Sequence, residues 1–485
     1  MPQPSHPTAV PPSVPPVAIV GAGITGLAAA HELVARGIEV VVHEAGDRPG
    51  GPVRSFRDGG YLAEEGPNTL LAPDPELRRW IGGLGLADQC LESSPAASRR
   101  FLVRHGRPVA LPGNPLGWIT TPLFSWPGKL RILGDLFLGR PDPGHEESVA
   151  GFVRRRLGQE MLDRAINPLI AGIYAGDPEK LSLREAFPRL HEVERAHRSL
   201  LIGQVVVDRE KRRRGEVSRT KAPKLSFQEG LESLVRALAS RLGVRLRLGS
   251  PVTRVARRGD GWELTAGNPP MTRTHSAVLM TAPAHRLARV ALETPTGDSL
   301  GWLESMPHAP ITTLVLGFRR TDVTHRLDGF GVLVPEVEAI PILGVLFNSS
   351  LFPNRAPEGH VTLTCYLGGS RDPELAVAPL ERQLDVALGA LGPLLGVTGR
   401  PTFIHHRTYQ PGIPQYGLDF GRFRQRFDDL ERSNPGLHFA GQFRHGIALL
   451  DCLTAGREAA ARIGRDLRSH PLPVPGAPTS PPSHA

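Results

Sequence analysis

Apolar and polar residues first follow a regular pattern near the start of the chain. Val17–Val20 is an unbroken apolar run of the length expected for a buried parallel strand. Leu27, Ala30 and Val34 then recur at helical spacing, and the segment IEVVVHE, which ends at Glu44, has the pattern of a second strand. This order of strand, helix and strand predicts a βαβ unit.

The turn after the first strand consists of Gly21, Ala22, Gly23, Ile24, Thr25 and Gly26. In this motif the first glycine permits a tight turn, the second lets the backbone approach a pyrophosphate, and the third lets helix and strand pack closely. The pyrophosphate faces the helix N-terminus, where free N–H groups favour negative charge. Glu44, 18 positions beyond Gly26, suits the carboxylate that binds ribose hydroxyls and disfavours a 2′-phosphate. The motif therefore predicts a dinucleotide other than NADP.

A second glycine motif, EAGDRPGGPVRS, follows the second strand. Arg48 can neutralise pyrophosphate charge, and the paired Gly50 and Gly51 allow the backbone to pass close to a cofactor. Pro52 has no N–H group to donate, so a contact at that position is lost. The motif resembles that of the FAD-dependent amine-oxidase and phytoene-desaturase-like superfamily, which implies FAD. The alternative is a glycine turn with a surface arginine.

The same resemblance implies FAD contacts far along the chain. Residues 248–267 are predicted to form two strands joined by a turn, and residues 436–463 a strand, a turn and a helix from about Leu450. The positive N-terminal end of that helix is expected near the flavin carbonyls. Ser276 stands where the superfamily usually has an acidic residue. The further implied contacts are Ala45, Gly66, Pro67, Asn68, Val252, Val255, Gly441, Ile447, Ala448 and Leu449.

Four further stretches narrow the resemblance: GYLAEEGPNTLLAPDPELRRWIGGLGL, SRRFLVRHGRPVALP, NPLIAGIYAGDPEKLSLREAFPRL, and DGFGVLVP with the following SSLFPNRAPEG. They are similar to the oxygen-dependent protoporphyrinogen oxidases and the related coproporphyrinogen oxidases of haem and chlorophyll synthesis. The resemblance implies oxidation of protoporphyrinogen IX to protoporphyrin IX, a CH–CH oxidation in three two-electron steps with O2 as acceptor and hydrogen peroxide released. Coproporphyrinogen III oxidation, a flavin amine or carotenoid oxidase, and a flavin-binding chaperone or sensor are the alternatives.

The resemblance assigns substrate positioning to Arg100, Gly172, Gly176, Leu333 and Phe347. An arginine can hold a propionate through two parallel hydrogen bonds, although a one-place shift would give this role to Arg99. Without the resemblance, the two apolar residues are ordinary core and the two glycines belong to a loop between helices. No side-chain base is assigned, because the pyrroles of a porphyrinogen stabilise the developing cation themselves.

Composition limits the other partners. The net charge is +9, and the one dense basic run, Lys211 to Lys224, has no interleaved aromatic residues. It therefore indicates a solvated loop and no nucleic acid. The three cysteines are far apart, which excludes a disulfide framework and fits a reducing compartment. No metal is expected, since His405 and His406 are adjacent on a predicted strand and point to opposite faces.

The segment from Asn114 to Arg140 combines aromatic, aliphatic and basic residues, which is typical of an amphipathic helix at a membrane surface. A helix that covers the core is the alternative. The expected location is cytoplasmic, at the inner face of the cell membrane, and a homodimer is left open. The expected class is α/β, α+β overall: a Rossmann-type FAD-binding domain (17–95, 211–300, 411–469), a mixed-sheet substrate domain (96–112, 301–410), a helical membrane-facing subdomain (113–210) and disordered tails (1–16, 470–485).

Overall fold

The computed structural model describes residues 14–72, 74–139, 146–197, 199–200, 202–203, 206, 209 and 222–469. The two predicted disordered tails, apart from residues 14–16, and the basic run up to residue 221 lie outside the described residues. Within them, the fold is mixed α/β, as the sequence predicts.

A five-stranded parallel sheet, called here the nucleotide sheet, is assembled from three distant parts of the chain. Its strands in spatial order are Leu246–Arg247, Val40–His43, Val17–Val20, Val278–Met280 and Leu437–Phe439. Such apolar runs suit a parallel sheet, because both of its faces are buried. Helices Ile24–Ala35, Glu232–Leu242 and Leu449–Ser469 pack on one face.

A four-stranded sheet covers the other face of the nucleotide sheet. Its strands in order are Met271–His275, Gly261–Ala266, Val252–Arg258 and Ala291–Glu293. The strand Met271–His275 has no counterpart in the sequence-based prediction, because its residues are mostly polar and exposed.

A seven-stranded mixed sheet, called here the large sheet, forms a second unit. Its strands in order are Phe403–Pro414, His308–Arg319, His360–Gly368, Gly344–Leu346, Gly331–Leu333, Arg100–Arg104 and Arg107–Ala110. Helix Leu380–Leu395 packs on one face of this sheet. The opposite face, called here the substrate face, carries the side chains discussed below.

Two small sheets connect these units. A hairpin pairs Ser55–Asp58 with Tyr61–Glu64, and Lys224–Phe227 lies between Leu70–Leu71 and Cys90–Glu92. The buried Arg355, from the SSLFPNRAPEG stretch, donates through Nη2 to the Ser226 hydroxyl at 2.7 Å. This stretch therefore ties the large sheet to the three-stranded sheet.

The other helices described are mostly short. They are Pro75–Gly83, Pro115–Thr120, Trp126–Leu133, Val149–Arg156, Gln159–Met161, the π-helix Leu162–Ile166, Asn167–Tyr174, Leu183–Ala186, Pro188–Ala196, Ala284–Leu287, Asn348–Leu351, Pro373–Ala376 and Phe420–Ser433, with 3₁₀ turns at Ala87–Gln89, Pro95–Ser98, Gly134–Phe137, Gly243–Arg245, Gly301–Ser305, Arg320–Asp322 and Glu336–Glu338.

The expectation of one amphipathic helix between Asn114 and Arg140 is wrong. Two helices and a 3₁₀ turn occupy this segment, because Pro122 disfavours helix at the residue before it and Pro127 sits in the first turn of the second helix. None of the helices in the described ranges is long and apolar enough to cross a membrane.

Candidate active site

The first glycine turn is closely packed at Gly21 and Gly26, whereas Gly23, at the start of the helix, borders open space. Gly21 has a φ angle of 104°, and a Cβ there would lie 2.8 Å from the Ala282 nitrogen. A Cβ on Gly26 would overlap the Gly21 carbonyl oxygen, so a larger residue would separate helix from strand. A Cβ on Gly23, in contrast, would meet no atom within 4 Å. The space beside Gly23 is therefore open, as the predicted pyrophosphate contact requires.

The charged groups at this turn suit a dinucleotide. The helix begins at Ile24 with Gly23 as its N-cap, and no side chain caps it by a hydrogen bond. Glu44 follows strand Val40–His43 directly, and its Oε2 accepts a hydrogen bond from the Ala22 N–H at 2.8 Å. A carboxylate thus stands beside an uncapped helix start, which favours a ribose next to a pyrophosphate.

The second glycine motif lies directly on the first. The Gly50 N–H donates to the Ala22 carbonyl at 2.8 Å. Gly50 has a φ angle of 102°, and a Cβ there would lie 2.8 Å from Cγ1 of Val235. Arg48 donates through Nη2 to the Gly51 carbonyl at 3.0 Å, so its guanidinium is held close to the paired glycines.

The C-terminal helix, Leu449–Ser469, crosses helix Ile24–Ala35 close to the N-terminal end of the latter. A Cβ on Gly456 would overlap the Thr25 carbonyl oxygen, so the two helices cross with almost no gap. The helix begins at Leu449, and Ala448 accepts a hydrogen bond from the Cys452 N–H at 3.0 Å. Ile447, Ala448 and Leu449, predicted to contact the cofactor, therefore stand at a helix N-terminus, and Gly441 lies in the preceding turn.

Arg100, Leu333 and Leu346 share the substrate face of the large sheet. Arg100 pairs with Gly331 in parallel register, and Gly331 pairs with Leu346 in antiparallel register. Paired residues point to the same side of a sheet, and so do residues two apart along one strand. A Cβ on Gly172 would lie 2.7 Å from Cδ2 of Leu333. Helix Asn167–Tyr174 therefore packs directly on this face.

The segment Gly66–Asn68 also packs on the substrate face. Asn68 donates through Nδ2 to the Tyr366 hydroxyl at 2.8 Å and accepts from Nδ2 of Asn348 at 2.6 Å. Tyr366 pairs with Gly344, which places it on this face. Burial raises the pKa of Tyr366, so the hydroxyl keeps its proton. Residues predicted to contact FAD and residues predicted to contact substrate thus meet on one surface.

Glu65 provides a charge beside this segment. Its Oε1 lies 3.2 Å from Nε2 of His405, and Arg54 and Arg407 lie within 4 Å of the carboxylate. Burial acts to raise the pKa of Glu65, but the His405 hydrogen bond and the two arginines outweigh it and hold the pKa below its usual value. His405 thus serves as a partner of Glu65.

Arg99 and Arg100 are clearly distinguished. Arg99 forms an ion pair with Asp328 at 2.6 Å. Arg100 is exposed, and its guanidinium carbon lies 5.9 Å from the ring centroid of Phe330. No carboxylate among the described residues pairs with Arg100, which leaves it available to an anionic ligand.

Three details of the predicted site are corrected. Phe347 is fully buried beside Phe101 and His325 on the opposite face of the large sheet, so it cannot form a wall for substrate. The half-buried Leu346, one place earlier, occupies the substrate face in its stead.

The second correction concerns Gly172, which lies inside helix Asn167–Tyr174, not in a loop. The chain leaves the helix only at Ala175, in the left-handed region, before Gly176. The third concerns Val255, whose backbone pairs with strands on both sides and whose side chain is buried. Val252, at the start of the same strand, pairs on one side only, with Ala266, and stays a predicted contact.

Several residues of the site were missed from the sequence. Asn348 directly precedes the stretch SSLFPNRAPEG, and Tyr366 follows that stretch in strand His360–Gly368. Polar residues in an otherwise apolar strand region were the available signal. Leu346 gave no such signal, because its position depends on pairing between distant strands.

FAD fits this arrangement on evidence from the chain itself. The open space at Gly23 and the uncapped helix start suit the pyrophosphate. At the other end, the Tyr409 hydroxyl is buried beside the Arg407 side chain. Burial raises the pKa of Tyr409 to about 12, and Glu65 and Arg48 are among the charges that act on it. A polar ring edge placed there would give this hydroxyl a further hydrogen-bond partner.

The fold and the site define an FAD-dependent oxidoreductase with a nucleotide sheet and a separate large sheet. The chain belongs to the flavin containing amine oxidoreductase family, which it matches over residues 24–464.

Individual relatives are similar over nearly the full length of the chain. The chain is 32% identical to protoporphyrinogen oxidase 2 of Arabidopsis thaliana, over 92% of each chain. It is 27% identical to coproporphyrinogen III oxidase of Bacillus subtilis, over 92% of this chain and 97% of the relative. A crystal structure from Exiguobacterium sp. 255-15, provisionally named a protoporphyrinogen oxidase, superposes with a TM-score of 0.77 at 24% identity, covering 94% of this chain and 99% of that one.

Proposed function

We propose that the chain oxidises protoporphyrinogen IX to protoporphyrin IX. Six hydrogen atoms leave the macrocycle in three two-electron steps, and three O2 molecules are reduced to three H2O2. Relatives that carry the name protoporphyrinogen oxidase at 32% identity support this substrate class.

The observation that carries the proposal is the meeting of two residue sets on the substrate face. Asn68, from the segment expected beside FAD, contacts Tyr366 on this face. Gly172 contacts Leu333 on the same face, and Arg100 shares it through strand pairing. An apolar macrocycle with acidic tails needs this combination of a flat apolar wall and a cation at its edge.

Each residue then has a role in binding or orientation. Arg100 binds a propionate, and Leu333 and Leu346 form the apolar wall. Gly172 allows the helix to come close to that wall, where a side chain would clash with Leu333. The packed helix and sheet exclude water from the reacting carbon, and ring nitrogen gives up its proton to solvent.

FAD would be held by the two glycine motifs, by Glu44 and by the N-terminus of the C-terminal helix. When bound, it supplies the two-electron acceptor. Gly66, Pro67 and Asn68 would lie at its flavin end, because they connect the second glycine motif to the substrate face.

We also propose that the chain contacts the inner face of the cell membrane. Eight large apolar side chains on the segment from residue 116 to 137 are at least 37% exposed: Leu116, Trp118, Ile119, Trp126, Leu130, Leu133, Leu136 and Phe137. We call this set the apolar patch. Such a patch would hold the protein at the membrane, where an apolar substrate is also found.

The test is an aerobic assay on flavin-loaded enzyme that follows porphyrin fluorescence from protoporphyrinogen IX and, in parallel, from coproporphyrinogen III. We expect faster oxidation of protoporphyrinogen, about one peroxide per two electrons, and arrest without O2. A preference for coproporphyrinogen III would instead support the activity for which the Bacillus subtilis relative is named. Oxidation of neither, with bound flavin verified, would refute the proposal.

A further inference from the structure

A lysine from another sheet approaches Arg100. Lys224 begins the middle strand of the three-stranded sheet, where it pairs with Leu71, and its carbonyl accepts a hydrogen bond from the Ser93 N–H at 2.8 Å. The backbone position of Lys224 is therefore fixed. Its ammonium lies 5.6 Å from the centroid of the Phe330 ring.

This is the same ring that Arg100 approaches to 5.9 Å. Phe330 directly precedes strand Gly331–Leu333, and its carbonyl accepts a hydrogen bond from the Phe347 N–H at 3.1 Å. The aromatic ring packs against the cluster of Ala97, Leu351 and Phe352, at the start of this strand. Two cations, each on a strand of a different sheet, converge on it.

Neither cation is neutralised by the described part of the chain. No carboxylate there forms an ion pair with Lys224 or Arg100, whereas the neighbouring Arg99 has Asp328. Burial lowers the pKa of Lys224, and the positive charge of Arg100 lowers it further. Contact with one aromatic ring is small compensation for two like charges held close together.

We propose that Lys224 and Arg100 form a two-cation site that binds two carboxylates of one tetrapyrrole substrate, with Lys224 as a specificity-determining residue. This inference rests on the proposed function. Arg100 offers a planar fork for one carboxylate, and Lys224 offers a compact charge for the other. Substrates with fewer free carboxylates on this edge of the macrocycle would lose the Lys224 contact.

The binding experiment uses oxidised, flavin-loaded enzyme with two ligands of nearly equal shape: protoporphyrin IX and its dimethyl ester, which lacks both negative charges. The variants are Lys224→Gln, which removes the charge, and Lys224→Arg, which keeps it. Arg382→Gln removes one positive charge from the exposed side of helix Leu380–Leu395 and serves as the control.

We expect Lys224→Gln to weaken diacid binding roughly tenfold, as for a lost hydrogen bond between charged groups. The Kd of the diester should be unchanged, and Lys224→Arg should retain most of the affinity for the diacid. In turnover, Lys224→Gln should raise KM for protoporphyrinogen by a similar factor with kcat little changed. Arg382→Gln should match the wild type in every measurement.

An equal effect of Lys224→Gln on diacid and diester would overturn the inference, since it would mean a role in packing. No effect on either would overturn it as well. Failure of the wild-type enzyme to oxidise any porphyrinogen is a different result, because it removes the proposed function itself. Normal wild-type turnover with an unchanged Lys224→Gln variant would remove only the two-cation site.

Discussion

At the scale of single residues, two adjacent arginines differ in their partners. Arg99 is paired with Asp328, whereas Arg100 has no carboxylate partner in the described part of the chain and lies at the edge of the substrate face. Sequence alone left a one-place ambiguity between them. The ion pair of Arg99 supports the proposal that Arg100 is the residue that binds an anion.

The arginine pair gives a direct kinetic prediction. Arg100→Ala should raise KM for protoporphyrinogen about ten- to hundredfold, because a charge-assisted bidentate contact is lost. Arg99→Ala should leave KM near the wild-type value. Steady-state kinetics together with the flavin absorbance of each purified variant check this. Loss of bound flavin in Arg100→Ala would show that the residue belongs to the cofactor site.

Buried histidines make stability depend on pH. Burial lowers the pKa of His275 to about 4, while its hydrogen bond to the Pro16 carbonyl acts in the other direction and Arg247 and Arg273 add to the lowering. The unfolded chain takes up this proton near the ordinary histidine pKa of about 6.5. Stability is therefore lost as pH falls from about 6.5 towards 4, by up to about 3 kcal/mol from this residue.

The corresponding variant is His275→Asn, which keeps a donor for Pro16 but cannot titrate. Denaturant unfolding measured at several pH values should show a shallower loss of stability on acidification than in the wild type. His105 is exposed, and His105→Asn is the control that should keep the wild-type slope. An unchanged slope in His275→Asn would mean that other groups cause the acid sensitivity.

At the scale of elements, the sequence best predicts strands, turns and helices that depend on residues close together in the chain. The strand Val17–Val20, the glycine turn and the start of the C-terminal helix follow from local apolar runs and glycine spacing, and the mixed α/β fold and FAD are confirmed. Pairing between distant strands was not predictable in this way. Phe347 was chosen from the family resemblance and Leu346 was missed, because consecutive residues of a strand point to opposite faces and a one-place error exchanges them.

The crossing of two helices offers an element-scale test. Gly456→Ala would place a methyl group against the Thr25 carbonyl, a backbone atom that cannot move aside without shifting the first helix. We expect a loss of about 1–3 kcal/mol in unfolding free energy and weaker FAD retention, as is typical of overpacking. Thermal unfolding with and without added FAD measures both effects.

The control for that variant is Gly389→Ala. Gly389 is exposed in helix Leu380–Leu395, and a Cβ there would meet no atom within 4 Å. Alanine should stabilise this helix by about 0.5–1 kcal/mol, because it loses less backbone entropy than glycine. If Gly456→Ala behaved like Gly389→Ala, the tight helix crossing would not be needed for cofactor binding.

At the scale of the whole molecule, the apolar patch is more apolar than the sequence indicates. Lys129 donates to the carbonyls of Ile119 and Thr121 at 2.7 and 2.8 Å, and its ammonium lies 4.8 Å from the Trp126 ring. Arg131 donates to the Arg155 and Arg156 carbonyls. Two of the basic residues of this segment are therefore hydrogen-bonded within the protein.

This arrangement predicts how the chain binds membranes. Flotation with vesicles should recover the intact protein on anionic lipid, and high salt should reduce the bound fraction only modestly, because apolar insertion provides most of the affinity. Trp126→Ser combined with Phe137→Ser removes two side chains that are 63% and 81% exposed and should abolish most binding.

The matched control removes exposed apolar side chains elsewhere, through Val244→Ser combined with Met271→Ser. This variant should float like the wild type, because neither residue belongs to the apolar patch. Binding that disappears at high salt would assign the contact to charges and not to the patch. A wild-type protein that stays wholly unbound on anionic vesicles would leave these eight side chains without a lipid partner, and the proposed membrane contact would be wrong.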